Sequence, residues 1–443
     1  MKLDVLQIRT CHAATAWVAA ALVVVFHTTA AAQNQPATPL TVNDAIGRAY
    51  ATSQRLAESV ARAEGAEAAI HTRESAAQPS VNVAGGYMRT NHIPEFGIPQ
   101  AGGGFRVIAP DIPNIYYSRA EFEWPIYTAG RVDAQVRPAE AEARAATADV
   151  EAARADLRLE VVRTYWALVT AIETTRVVEE AVSRAETHLR DVRSQFDSGL
   201  IPPNDVTAAE AQRSHEQLQL IEARTLQSHT LEELSRLTGI TGEIVPTELL
   251  ATNAPPPPAS TTERAEQRAL AERITASEER VVAIERQRWP TIAVNVAGDY
   301  AKPNPKIFPL TNTWRHSWQA GVVVNWSAWD GGRAAAESAE AAAATRALRA
   351  RSADLDLSIA SEIRQRQLDV DSARAALATA DDALRSATET RRVVAERFAA
   401  GVATSTDVLD AQFVLLQAEL DRTRTLANIR LAEARLERAR GVQ

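Results

Sequence analysis

The chain has 443 residues, a formal net charge of −8, 5% aromatic residues and a single cysteine. Mild acidity makes it a poor partner for nucleic acid. Cys11 stands ahead of an apolar leader, so the mature chain has no disulfide, no thiolate metal site and no cysteine nucleophile. Scarce aromatics beside abundant alanine and arginine favour long helices packed side by side over a thick globular core.

Residues 1–32 have the pattern of a secretory signal. Lys2 and Arg9 precede an apolar run from Ala13 to Phe26, and Ala30-Ala31-Ala32 offers small residues for cleavage before Gln33, although Asp4 departs from a basic leader. A retained N-terminal helix is the alternative, but the run falls short of the roughly 20 apolar residues of a span. Cys11 is not at the cleavage point, so lipid attachment is not expected. Nothing downstream approaches about 18 uninterrupted apolar residues, so a membrane crossing would need a closed β-barrel.

Residues 33–240 form a first structural repeat and 263–443 a second. Between them, 241–262 reads as a Pro-rich linker at the equator of the molecule, where "NAPPPPAS" suits neither helix nor central strand. Gly130-Arg131 in "YTAGRVDAQ" aligns with Gly332-Arg333 in "WDGGRAAAE", 202 positions on. The turn "FDSGLIPPNDVTAAEA" from Phe196 aligns with "FAAGVATSTDVLDAQF" from Phe398 at the same offset. Each unit runs helix, strand, loop, strand, very long helix, turn, helix.

In the first copy Thr41 and Asp44 form a capping box that opens a helix, and Pro79 closes it. Strands follow at about 80–90 and 117–127, and "AGGGF" marks a flexible loop between them. A helical hairpin runs from about 130 to 238, with Pro138 the only proline before its turn. At 1.5 Å per residue, a helix of about 60 residues is about 100 Å long. In the second copy Pro290 precedes strands at about 291–301 and 317–327 and a hairpin over about 332–440. Leu409, Phe413, Leu416 and Leu420 on its return helix have coiled-coil spacing.

The strands alternate. Ile292, Val294, Val296 and Tyr300 share one face against Asn295 and Asp299. Ala120, Phe122, Trp124 and Ile126 oppose Arg119, Glu121 and Glu123. Trp318, Val322, Val324 and Trp326 oppose Gln319 and Asn325. Apolar outside, polar inside and aromatic near the ends is the pattern of a lipid-facing barrel, with Tyr87, Trp124, Tyr300, Trp318 and Trp326 as its lipid-facing aromatics. A half-buried sheet in a soluble domain is the alternative. Four strands cannot enclose a lumen, which takes about eight. Three copies supply 12 strands closing at roughly 24 Å and 12 helices leaving a lumen of about 25 Å. The two tubes match, so a trimer is expected.

Taken together, "LTVNDAIGRAY", "QPSVNV", "WPTIAVNV", "WPIYTAGR", "NWSAWDGGR" and the paired F-x-x-G turns followed by "DV" resemble the TolC-like outer-membrane efflux channel family over nearly the whole mature chain. The resemblance implies a mainly α fold with a β-barrel. In it a homotrimer forms a 12-stranded outer-membrane barrel continuous with a 12-helix periplasmic barrel, unlipidated in this branch. It implies an exit duct for an inner-membrane pump (RND, ABC or MFS type) reached through a periplasmic membrane-fusion adaptor. It also places Asp407 and Asp410 in the periplasmic constriction, with Asp205, Phe398 and Ala403 at the neighbouring positions. Where best-known members carry an aromatic hydroxyl and an arginine that hold the mouth shut, this chain has Phe398 and Ala403, so that hydrogen-bonded lock is not expected. In the first copy Asp205 is present but Ala208 takes the place of the second carboxylate.

At the turns, Gly199 and Gly401 fit left-handed helix ends, and Thr404 with Asp407 forms a capping box. Local helix capping is thus the simpler account of Asp205 and Asp407. Phe196, Gly199, Leu200, Phe398, Gly401 and Val402 are candidate adaptor contacts, because apolar residues on exposed tips mark partner sites. No catalytic constellation, metal-ligand spacing among the histidines, cofactor site or nucleotide motif is present, so an enzyme is not expected. Small-molecule export explains every feature. Type I protein secretion or heavy-metal efflux through the same duct is the nearest alternative, and a periplasmic helical scaffold without a pore is the alternative of a different class.

Overall fold

The computed structural model describes residues 38–248, 250 and 261–442. The signal at 1–32 and the prolines at 255–258 lie outside them. β1 (Thr38–Leu40) leads through α1 (Val42–Thr52) into α2 (Gln54–Glu74), a 3-10 turn and β2 (Ser80–Arg89). A hairpin of β3 (Phe96–Pro99) and β4 (Phe105–Ala109) precedes β5 (Asn114–Tyr127), α3 (Arg131–Asp197), α4 (Pro203–Thr238) and β6 (Ile244–Pro246). Then come α5 (Ala265–Arg286), β7 (Thr291–Lys302), β8 (Arg315–Asn325), α6 (Arg333–Ala399) and α7 (Ser405–Ala439).

The two long helices have 67 residues each, which makes rods of about 100 Å. Their alanine, arginine and glutamate content is what an isolated helix favours. Both start from a glycine in the left-handed region, Gly130 and Gly332. Asp330 caps α6 by accepting from the N–H groups of Gly332 and Ala334, both at 2.9 Å. Those two bonds hold its carboxyl below the usual carboxylate range. The helices form one curved layer. α2 and α4 flank one side of α3; α5 and α7 lie between α3 and α6. Among the described residues α6 therefore has neighbours on one side only.

Alanines keep the layer thin. Ala141, Ala145, Ala171, Ala181 and Ala185 are buried along α3, letting backbones approach closely. Between α3 and α5 the contact carries ion pairs in register: Arg144 on Glu272 at 2.9 Å, with Arg268–Glu151, Arg273–Asp149 and Arg280–Glu142 alongside. Such exposed pairs contribute about 0–1 kcal/mol each and serve mainly to fix the sliding position of one helix on the other. Glu266 is more enclosed. Burial alone would raise its carboxyl, but hydrogen bonds from Arg264 and Arg438 outweigh that and hold it at about 2.

The main apolar core sits midway along the helices, where α1, α3, α4, β1 and β6 meet. It contains Leu40, Ile46, Leu157, Val161, Tyr165, Leu168, Leu234 and Ile244. β6 corrects the expectation for 241–262: Ile244–Pro246 is a strand, paired in parallel with β1. Its apolar Ile244 reaches the core, which the downstream prolines conceal when the segment is read as one linker. Tyr165 is fully buried here. Its hydroxyl donates to the Leu40 carbonyl at 3.0 Å and accepts from the Glu248 N–H at 3.2 Å, tying α3 to both short strands.

The large sheet has the order β2-β5-β7-β8, antiparallel throughout. Its register places Val83, Ala120 and Gly298 in one row and Phe122, Val296 and Ala320 in another. The apolar residues of all four strands thus share a face, and Arg119, Glu121, Glu123, Asn295, Asp299 and Gln319 share the other. On β7 the alanines of the polar face, Ala293, Ala297 and Ala301, are buried, while Val296 and Tyr300 opposite are exposed. On the central strand β7 the polar face is therefore the sheltered one. A bulge at Pro125/Tyr127 ends the regular pairing beside α3.

Replacing Tyr165 by Phe removes one hydroxyl that serves two backbone groups. The Leu40 carbonyl keeps the Thr247 N–H at 3.1 Å, but the Glu248 N–H loses its partner at a cost of about 1–3 kcal/mol, so Tyr165→Phe should lower the unfolding midpoint in denaturant, and an unchanged midpoint would count against this tie. Glu216 on α4 behaves oppositely. It is 1% exposed, accepts one bond from Gln212, and leaves its second carboxylate oxygen without a partner. Burial pushes its carboxyl up. A raised carboxyl supports the fold below its unfolded value and loses that support as pH rises through the folded one. Glu216→Gln should therefore stabilise the chain at neutral pH, with the gain shrinking in acid. Thermal melts of both forms across pH 4–8 measure it.

Candidate functional site

Two regions gather the candidate residues: the tips of the two helical hairpins, and the sheet at the opposite end. At the tips the turns are built alike. Leu200 N–H donates to Gln195 O and Gly199 N–H to Phe196 O; Val402 N–H donates to Arg397 O and Gly401 N–H to Phe398 O. These pairs are the Schellman arrangement, with Gly199 and Gly401 at φ 72° and 74°. Its usual apolar closing contact is missing, because Leu200 and Val402 are 74% and 64% exposed. Phe196 is also exposed.

Phe398 differs from its expected position. It is 6% exposed, packed with Leu189, Val192, Ala209 and Val408 inside the chain rather than displayed at the tip or in a lumen. Ala403, Ile201 and Val206 close the same cluster, which joins all four long elements just above the turns. A plain phenyl ring has no hydroxyl to keep wet and gains most by leaving water. Against its ring lies His188 of α3, edge-on at 5.2 Å between centroids. The His188 Nε2 is 3.0 Å from the hydroxyl of Ser405, the first residue of α7, and both groups are buried. Burial lowers the imidazole pKa. His188 is thus a structural tie between the two hairpins, and a lone histidine in a helix gave no signal of it.

Asp407 caps its own helix. Its Oδ2 accepts from the Thr404 N–H at 2.8 Å and the Thr404 hydroxyl at 2.7 Å, while its N–H donates back to that hydroxyl at 3.2 Å. These bonds, the backbone one first, hold the carboxyl below its usual range, so it stays charged. Asp410, one turn on, is exposed, and no hydrogen bond or ion pair engages it among the described residues. Asp205 is half-buried and accepts from Asn204 at 3.0 Å. Asp407 and Asp410 therefore present two carboxylates on adjacent turns beside the apolar cluster.

At the sheet end the expected aromatics are exposed on the apolar face, and sequence reasoning missed two partners. Tyr87 lies 4.9 Å from Tyr116, which lies 6.1 Å from Trp314; Trp314 stacks on Tyr300 at 4.9 Å. This row marks the sheet edge far from the helices. Trp124, opposite Val294, lies nearer them, and Trp318 faces Gly298. Trp326 falls just beyond β8, where its indole N–H donates to Arg288 O at 3.2 Å. On the polar face Asp299 is flanked by Arg119 at 3.9 Å and Lys306 at 2.5 Å. Among the described residues no helix is long and apolar enough to cross a membrane, no group of acidic, histidine or cysteine side chains could hold a metal ion, and strands of 10–14 residues meet the length of about 9–11 that a barrel strand needs.

The chain is similar to several solved channels. The Vibrio cholerae outer-membrane protein VceC is 18% identical, with 90% of this chain and 96% of that one covered at a TM-score of 0.71. The open-state MtrE channel of Neisseria gonorrhoeae is 16% identical over 91% and 89% at 0.72, and the Campylobacter jejuni CmeC channel 17% identical over 90% and 85% at 0.71. At these identities the likeness is one of fold. No curated protein matches significantly. The model of the outer membrane efflux protein family matches residues 45–240 and 261–442, nearly everything the structure describes. The chain belongs to the outer membrane efflux protein family, whose members are passive channels and not enzymes.

Proposed function

We infer that the chain is the exit duct of a tripartite efflux system, passively conducting small molecules from an inner-membrane pump and a periplasmic adaptor to the exterior. The observation that carries this reading is the sheet: four strands, apolar on one face and polar and charged on the other, with β2 and β8 unpaired on their outer edges among the described residues. A lipid-embedded edge cannot stay open, so three copies close a 12-stranded barrel whose charged face lines the lumen. Tyr87, Trp124, Tyr300 and Trp318 then face lipid, and the helical layers continue the tube through the periplasm. In this reading the protein is unlipidated and the barrel holds it in the outer membrane.

At the periplasmic mouth, Asp407 and Asp410 form two rings of carboxylates that favour cations. The capping role of Asp407 dictates the substitution: asparagine keeps an acceptor for Thr404 and removes the charge. Asp407→Asn with Asp410→Asn should weaken block of bilayer conductance by divalent cations, and undiminished block would remove these residues from the constriction.

Leu200 and Val402, exposed where a helix end would ordinarily bury them, support adaptor contact at the tips, with Phe196 beside them. Phe398 takes no part, being buried. Leu200→Asp with Val402→Asp should abolish export while trimers still assemble. Retained export in cells carrying this pair would place the adaptor elsewhere.

A further inference from the structure

The connection between β7 and β8 lies at the end of the sheet remote from the helices and does not extend away from it. Asn304 is 2% exposed. Its Nδ2 donates to Arg315 O and to the Ser317 hydroxyl, both at 3.0 Å, and its Oδ1 accepts from the Lys306 N–H at 3.0 Å. These bonds turn the loop back onto the polar face. Lys306 then reaches three residues down β7. Its Nζ donates to Asp299 Oδ2 at 2.5 Å and to Gln319 Oε1 at 2.8 Å. At about 3.3 Å per strand residue, that contact lies about 10 Å inside the end of β7.

The charges around this contact are few. Asp299 faces Ser317 across the sheet and Arg119 on the other side. Arg119 also approaches Glu121 at 3.6 Å, so its charge is shared between two carboxylates. Only Lys306 meets Asp299 at hydrogen-bond distance. Without it, a carboxylate with 16% of its side-chain surface exposed would depend on a cation 3.9 Å away.

We propose that Lys306 is a specificity-determining residue of the outer mouth. It pins the β7–β8 loop across the polar face, narrows the exit, and neutralises Asp299. The proposal rests on the polar face being the lumen wall. Three copies place three such straps around one opening, separate from the carboxylate rings at the periplasmic end.

The test uses the full-length protein in planar bilayers under a salt gradient. Lys306→Gln should shift the reversal potential toward cation selectivity and raise single-channel conductance; Asp299→Asn should shift it toward anions; Lys306→Arg should match the parent. The charge effect should be strong at 0.1 M salt, where the screening length is about 10 Å, and fade at 1 M, where it is about 3 Å. The wider exit should persist in both. If Lys306→Gln forms trimers whose selectivity and conductance equal the parent's, the assignment is overturned. If Lys306→Gln does not assemble, Asp299→Asn decides by itself, and an unshifted reversal potential overturns it. A parent protein that conducts nothing would instead overturn the duct reading.

Discussion

The structure depends on one requirement: backbone groups at a sheet edge need partners. Each chain contributes four antiparallel strands and ends them with β2 and β8, whose outer sides are unpaired among the described residues. In water such edges invite aggregation. In hydrocarbon each unpaired group costs several kcal/mol. Four strands cannot curl round a lumen, so the edges can be satisfied only by other copies of the same sheet. On the proposed duct reading, assembly, barrel closure and a lumen all follow from a single hydrogen-bonding demand, and a chain of eight strands would have met it alone.

The helical end solves a related problem by different means. Helices satisfy their own backbones, so their association is governed by side-chain size. Alanine-rich faces allow a layer four helices wide with a thin core, and the layer keeps apolar residues exposed on its two margins: Leu218 and Ile221 on α4, Leu357 and Leu368 on α6. Those margins correspond to the open sides of the sheet above. The same copies that close the barrel would cover them, which is why one arrangement of subunits can serve both ends despite their different chemistry.

Much of this was legible in the chain because the duplication fixed where equivalent elements begin. Gly130 and Gly332 mark the starts of the long helices, Gly199 and Gly401 their ends, and strand alternation identifies the polar face residue by residue. Other features depend on contacts between segments far apart in the chain. β6 escaped notice because three residues carry no periodicity, and its pairing partner lies some 200 positions away. His188 and Ser405 are separated by 217 residues, so nothing local distinguishes that histidine from the exposed ones. Trp314 belongs to the aromatic row because it directly precedes β8 and continues its apolar face beside Tyr300, a position that lies outside the strand as read from alternation. Phe398 differs for a more instructive reason: the family resemblance implies a place at the mouth, whereas a plain phenyl ring is most stable out of water.

The burial of Phe398 also bears on how the periplasmic mouth is held. A phenol can span two subunits through a hydrogen bond while remaining wet. A phenyl ring held between His188, Leu189, Val192 and Val408 is committed to its own chain and cannot reach a neighbour without leaving its pocket. Asp407 is likewise engaged by Thr404. The tip residues left exposed outside both arrangements include Asp410, Val402, Leu200 and Phe196. Carboxylates brought together there repel, while the apolar clusters behind them keep each pair of hairpins together as a unit. On the proposed duct reading, widening of the mouth would then move whole hairpin pairs apart and leave each cluster intact.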